Sequence, residues 1–271
     1  MKKTMKLLAL ATAILLLCAA LTACGQPTTS EIVNEAIANT TALDSMHATM
    51  KMNMDMELGG LGTSVNVPIT ADIKATGLQG ESPVILSDVT VSVMGMGVTT
   101  STYAEGEYLY MSVMDEKYKV KIAEMDDYDG MSDVNNMLKS LPEELLAEVV
   151  ATENPNGTKT VKVSVPQDML QTLYADLITQ VQKSAAEGAA VSDCTISDAE
   201  VEITVSEDGY VAEYNMEFDM EMTMSMAGLE VTVSAEVEAE IEIENPGEPV
   251  TVTPPEGYQD YPEVDADEVG I

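Results

Sequence analysis

The sequence predicts a single α+β domain in which long antiparallel strands dominate and a few helices cover them. Three observations carry this. Apolar and polar residues alternate strictly over long runs, short glycine-containing turns join the runs, and helical spacing is confined to the start and middle of the chain.

A helix opens the domain. Ser30 reads as its N-cap, Glu31 lies in the first turn where the helix dipole favours an acid, and Ile32, Val33, Ala36, Ile37 and Leu43 recur near helical spacing. After Asp44-Ser45 the period switches to two. Met46, Ala48, Met50, Met52, Met54, Met56 and Leu58 fall on one strand face, and His47, Thr49, Lys51, Asn53, Asp55 and Glu57 on the other. A Gly59-Gly60-Leu61-Gly62 turn leads into Val65, Val67, Ile69, Ala71, Ile73 and Ala75. Further strands follow at Val89–Val93, Val98–Tyr103 and Tyr108–Met114, and then Tyr118, Val120 and Ile122 alternate with Lys117, Lys119 and Lys121. Short turns between such strands predict a meander.

The middle of the chain differs. Residues 125–133 are acidic and loop-like, and Met137, Leu138 and Leu141 precede Pro142, which suits a first helical turn. Val161, Val163 and Val165 mark another strand. Pro166 then opens the strongest helical stripe, Met169, Leu170, Leu173, Leu177, Ile178 and Val181, with Gly188 at its end. The second β block starts with Val201, Ile203 and Val205 and turns at Asp208-Gly209. It alternates without a break from Tyr210 to Met226, and Leu229 to Ile243 answer after Gly228. Asn245-Pro246-Gly247 stops the sheet, and residues 258–271 read as a loose acidic tail.

Composition excludes several functions. The 271 residues carry 12 basic side chains, all Lys, against 47 acidic ones, for a formal charge of −35. That charge repels nucleic acid and anionic bilayers. Without Arg there is no guanidinium clamp for phosphate, and the single His, His47, cannot build a His-rich zinc site. There is no G-x-S-x-G elbow, phosphate loop or dinucleotide fingerprint. A carboxylate pair for glycoside hydrolysis would lack its stacking aromatics, since the chain has one Phe and no Trp. The chain is therefore expected not to be an enzyme and to need no cofactor and no metal.

The N-terminus gives an address. Met1 to Lys6 form a short basic region, and Leu7–Ala20 an apolar stretch too short to span a bilayer comfortably. Leu21-Thr22-Ala23-Cys24 follows and resembles the bacterial lipobox, whose Cys thiol receives diacylglycerol. The expected division is a signal peptide over 1–23, a lipidated Cys24 with its tether over 24–29, a folded domain over 30–257, and the tail over 258–271. Losing Lys2, Lys3 and Lys6 with the signal takes the charge from −35 to −38. Cys194 is then the one remaining free thiol, so no intramolecular disulfide is available.

The order of these parts resembles the LolA/LppX-like group of bacterial envelope lipoproteins, and within it an uncharacterised Gram-positive lipoprotein family of that fold. The likeness is carried by S-E-I-V-N-E-A-I-A-N-T-T-A-L-D-S-M-H-A-T-M-K-M-N-M-D-M at 30–56, Y-A-E-G-E-Y-L-Y-M at 103–111 and N-P-G-E-P-V-T-V-T-P-P at 245–255. It implies a curved antiparallel β-sheet (half-barrel), with helices packed on its concave face, around a hydrophobic cavity. The chain lacks the Trp and Arg that could latch a helical lid in the carrier branch of that group.

The candidate site is the methionine surface. Met46, Met50, Met52, Met54 and Met56 share one strand face, as do Met216, Met220, Met222, Met224 and Met226 on another. Thioether side chains are unbranched and polarizable and re-pack around varied apolar ligands. If the two faces converge, Met50, Met52, Met54, Phe218, Met220, Met222 and Met224 line a cavity for a lipid or acyl chain. The alternatives are a structural or interaction lipoprotein with a packed core, and Cu(I) binding by the soft thioethers. The expected partners are the membrane, through the Cys24 anchor, and an apolar ligand, with the chain acting as a monomer. The acidic outer faces, including Glu213, Glu217, Asp219 and Glu221 and the Glu236–Glu244 series, read as a solubilising exterior able to collect divalent cations loosely. Lys117, Lys119 and Lys121 read as an edge guard or partners for nearby acids, and His47 as an exposed bystander.

Overall fold

A computed structural model describes residues 27–59, 63–80, 82–114, 116–125, 141–167, 169–170, 189–226 and 229–269. The signal segment, Cys24 and most of the helix expected after Pro166 lie outside the described residues.

Helix α1 spans Thr29–Thr41. Its N-cap is Thr28, two residues earlier than Ser30, because Thr28 and Glu31 satisfy each other. The Glu31 amide donates to Thr28 Oγ1 at 3.2 Å, and the Thr28 amide donates to Glu31 Oε2 at 2.7 Å. The backbone bond from Thr28, joined by its hydroxyl, holds the Glu31 carboxyl below its ordinary range.

Eleven strands form one curved antiparallel sheet that does not close on itself. The first six are β1 (Ser45–Leu58), β2 (Thr63–Thr76), β3 (Val84–Val93), β4 (Met96–Glu105), β5 (Tyr108–Val113) and β6 (Glu116–Lys121). After a one-turn helix α2 (Glu143–Leu146) come β7 (Thr152–Glu153), β8 (Lys159–Ser164), β9 (Ala189–Val205), β10 (Val211–Met226) and β11 (Leu229–Ile243). Their order across the sheet is β6-β5-β4-β3-β2-β1-β11-β10-β9-β8-β7. Two meanders are thus joined in the middle by β1 and β11, the strands most distant in sequence. Their register runs without a break from Ala48–Ile243 to Leu58–Val233.

β9 begins well before the expected Val201, and its early half breaks the period of two. Ile196 and Val201 are an odd number of residues apart, yet both are buried. A bulge reconciles them: Glu217 pairs with Glu200 and Asp219 with Ser197, so Asp198 and Ala199 together oppose Phe218. Asp198 takes a positive φ of 50° there.

The C-terminal segment is not a loose tail. Tyr258–Asp260 form one turn of 3-10 helix, Tyr261 is buried, and Ala266–Val269 form a final short helix, α3. The segment lies on the polar face of β3–β6. Tyr258 packs edge-on to Tyr103 at 5.1 Å and to Tyr110 at 4.9 Å. It also runs beside edge strand β6: the Lys119 amide donates to the Pro262 carbonyl at 2.9 Å, and the Val264 amide to the Lys119 carbonyl at 3.0 Å. Lys121 pairs with Glu263 and the Lys119 ammonium sits over the Tyr108 ring, so the lysine row does meet a nearby acid at a sheet edge. These contacts satisfy backbone groups that would otherwise invite another strand.

Candidate functional site

Leu86, Tyr103 and Tyr110 of β3–β5 are exceptions on the polar face, but alternation sends most apolar residues of the strands to the other side of the sheet. The main cluster on that side joins Val161, Val163, Val201, Ile203, Tyr214, Phe218, Val237 and Ile241 with residues from the helical segments. Val33, Ala36 and Ile37 of α1, Leu145 and Leu146 of α2, and Leu170 are fully or nearly buried in it. α1 lies against β9 and β10. Thr40, 2% exposed, fixes its position: the hydroxyl donates to the Ala36 carbonyl at 2.8 Å and accepts from the Val211 amide at 2.9 Å.

The two methionine strands do converge. β1 and β10 are the two neighbours of β11. Met52 opposes Ala239, which opposes Met216; Met56 opposes Ala235, which opposes Met220. Between these rows, Met54 opposes Val237, which opposes Phe218. Two strand spacings put β1 and β10 about 10 Å apart. Small Ala residues in the intervening strand leave room above them for the long thioether arms. The floor is closed, with Val237 2% and Ala235 4% exposed, whereas Met50, Met52, Met54, Met56, Met216 and Met220 are only partly buried.

Of the residues named from the sequence, Met52, Met54, Phe218 and Met220 lie in these rows. Met50 opposes Ile241 one step away, and Met222 opposes Val233 one step beyond the other end. Met224 pairs with Val231 through its backbone, and its side chain lies outside the description. Met56, Met216, Ala235 and Ala239 belong to the same surface. The signal for the two alanines was present in β11, where Ala alternates with Val along the apolar face.

Cys194 lies directly opposite Met222, on the thioether side of the sheet. Burial, together with the Asp193 charge, pushes its thiol pKa up and disfavours the thiolate that would ligate a metal.

The polar face carries its own structure. His47 is no bystander. Its Nε2 lies 3.0 Å from Asp72 Oδ2 on β2 and its Nδ1 2.9 Å from Glu244 Oε2, just past β11. A carboxylate thus stands at each ring nitrogen, and the three side chains tie β1 to both of its neighbouring chain segments. Burial raises the Asp72 pKa, but hydrogen bonds from His47 and Lys74 outweigh it and the net shift is downward. Elsewhere acids face acids, as in Glu213–Glu242, Glu217–Glu238 and Asp219–Glu236. Carboxylate oxygens of Glu217, Glu236 and Glu238 come within 4.8 Å of one another, and all three side chains are exposed. An open trough of about 500 Å³ crosses this polar face over six strands, from Pro68 and Thr70 of β2 to Lys162 of β8; Lys51 and Lys162 within it each pair with a glutamate, Glu240 and Glu200 respectively. Among the described residues, no helix is long and apolar enough to cross a membrane.

Residues 28–256 match a protein family described as a family of unknown function, DUF6612. No curated protein matches the chain in sequence. Among solved structures it is similar to LprF from Mycobacterium bovis, with 17% identity and a TM-score of 0.42, over 86% of this chain and 100% of that one. It is similar to a DUF1329 family protein from Desulfovibrio piger, with 9% identity and a TM-score of 0.24, over 81% and 92% of the two chains. A LolA superfamily protein from Nitrosomonas europaea has 7% identity and a TM-score of 0.18, over 80% and 94%.

Proposed function

The chain belongs to the DUF6612 family, and we propose that it is an extracytoplasmic lipoprotein, anchored to the membrane through Cys24, that binds a lipid or another elongated apolar ligand on its methionine surface. The sheet acts as a half-barrel and the helical segments as the roof of its concave side. The observation that supports this best is the pairing of Met52 with Met216 and of Met56 with Met220 across alanines of β11. Partly exposed thioethers over a closed floor form a surface that an acyl chain can enter by rotamer changes alone, without disturbing backbone hydrogen bonds. The anchor is supported by the basic start, the apolar run and Leu21-Thr22-Ala23-Cys24 in that order.

The competing reading is a structural lipoprotein whose apolar face is packed shut. It is favoured by one observation: the trough of about 500 Å³ opens on the polar face rather than the methionine face. Native mass spectrometry and solvent extraction of residues 25–271 separate the two. Bound lipid that is lost when Ala235 and Ala239 are both replaced by Leu supports the methionine site. Protein that leaves lipid-containing medium without ligand sinks it in favour of the packed core.

A further inference from the structure

Beyond the methionine face, the C-terminal segment forms a second, chemically different and half-open cavity against the polar face of β3–β6. Its volume is about 280 Å³, slightly below the range of roughly 300–1,000 Å³ typical of drug-sized ligands, which suits a single small ring. Register builds its floor: Asp88 opposes Ser101, Ser101 opposes Ser112, and Ser112 opposes Lys117, so one row across four strands runs from a carboxylate through two hydroxyls to an ammonium. Tyr110 and Tyr261 wall it, with ring centroids 6.2 Å apart, and Thr253 and Pro255 of the C-terminal segment close the top.

Two details indicate what the row can hold. Ser101 Oγ donates to Asp88 Oδ1 at 2.5 Å, which fixes the carboxylate of a residue that lines the cavity and leaves its second oxygen as a further acceptor. Lys51, Lys74, Lys121 and Lys162 each pair with a carboxylate, whereas the Lys117 ammonium sits 5.5 Å from the Tyr261 ring centroid with no carboxylate partner among the described residues. In a chain of charge −35, a lysine kept from acids beside an aromatic cavity is an available anion handle.

We propose that this cavity binds a hydroxyl-rich ring bearing one carboxylate, a sugar acid of the uronate class. The carboxylate pairs with Lys117, ring hydroxyls donate to Asp88 and exchange hydrogen bonds with Ser101 and Ser112, and the apolar ring face rests on Tyr110 and Tyr261. An aromatic wall combined with fixed hydrogen-bonding groups recognises such a ring, and the ionic end separates it from a neutral sugar.

The test is calorimetric titration of the full-length protein, purified in detergent, with glucuronate and with glucose. Near-UV dichroism provides a second readout, because tyrosines dominate it in a chain without Trp. Glucuronate is expected to bind about tenfold or more tighter than glucose, the size of one charge-assisted contact. Lys117→Met should abolish that preference while leaving glucose binding in place, and Ser112→Ala should weaken both ligands. Melting temperatures of the variants establish that they fold. Absence of glucuronate binding, equal affinity for the two sugars, or a preference that survives Lys117→Met in a folded protein overturns the proposal. Because the methionine face lies on the opposite side of the sheet, lipid retention by the same variants is read separately, and its loss or survival bears on the other site alone.

Discussion

Thr40 shows how much of this fold depends on single polar atoms. Its hydroxyl is the acceptor for the Val211 amide at the point where α1 meets the start of β10. Thr40→Val keeps the shape and removes the acceptor, leaving a buried N–H unpaired. The expected loss is about 1–3 kcal/mol in urea unfolding. Thr41→Val should cost no more than about 0.5 kcal/mol, because the Thr41 hydroxyl bonds only to carbonyls of its own helix.

Tyr103 makes the C-terminal segment pH-sensitive at the alkaline end. Burial above all, together with the Glu105 charge, raises its pKa from the ordinary 10.0, and burial likewise raises Tyr110 and Tyr108. A pKa raised by folding means that the folded state holds the proton more tightly. The stabilisation is therefore complete below the free-tyrosine pKa and lost as pH rises past it. Limited proteolysis of residues 250–269 should accelerate above pH ~10, and Tyr103→Phe should blunt that acceleration.

At the scale of elements, β10 and β11 carry the clearest electrostatic cost. Glu236 has Asp55 on one side and Asp219 on the other, three acids abreast on the polar face. Like charges directly opposed destabilise by a few tenths of a kcal/mol per pair, and salt screens them over a Debye length of about 10 Å at 0.1 M. Raising salt to about 1 M should lift the melting temperature by about 2–5 °C. Glu236→Lys should deliver much of the gain at low salt and flatten the salt dependence. If the melting temperature falls with sodium chloride, repulsion on this face is not a stability term.

The same elements show what was legible and what was not. β1, β2, β10 and β11 could be read almost to the residue, because one buried face imposes a strict period of two. The first half of β9 could be read only in part: Cys194 and Ile196 are in phase with each other and both buried, but the bulge at Asp198–Ala199 shifts the phase midway, so they do not continue the alternation of Val201, Ile203 and Val205. Thr28 and Ser30 offer the same N-cap chemistry, and only backbone geometry decides that the Thr28 hydroxyl reaches an orphan amide.

For the whole molecule, the sheet order means that β1 pairs on one side with its sequence neighbour and on the other with β11, nearly two hundred residues away. Such non-local pairing closes late in folding. The outer edge strand β6 depends on residues 262–264 for its cover. Deleting residues 250–271 uncovers Tyr103 and Tyr110 as well as the backbone of β6. The truncated chain should self-associate in size-exclusion chromatography with light scattering, and a monomeric truncation would show that the edge is protected by other means.

The sequence by itself determined which residues of the long unbroken strands face inward, that long strands dominate, that the exterior is acidic, and that methionines crowd two strand faces. All of these follow from local periodicity and composition, which need no knowledge of distant neighbours. Tertiary structure alone decided the partners. It set Met52 against Met216 and Met56 against Met220 across Ala239 and Ala235, placed His47 between Asp72 and Glu244, and folded the acidic C-terminal segment over four strands to make a tyrosine-walled cavity. Those pairings rest on which strands become neighbours, and alternation within a strand carries no information about that choice.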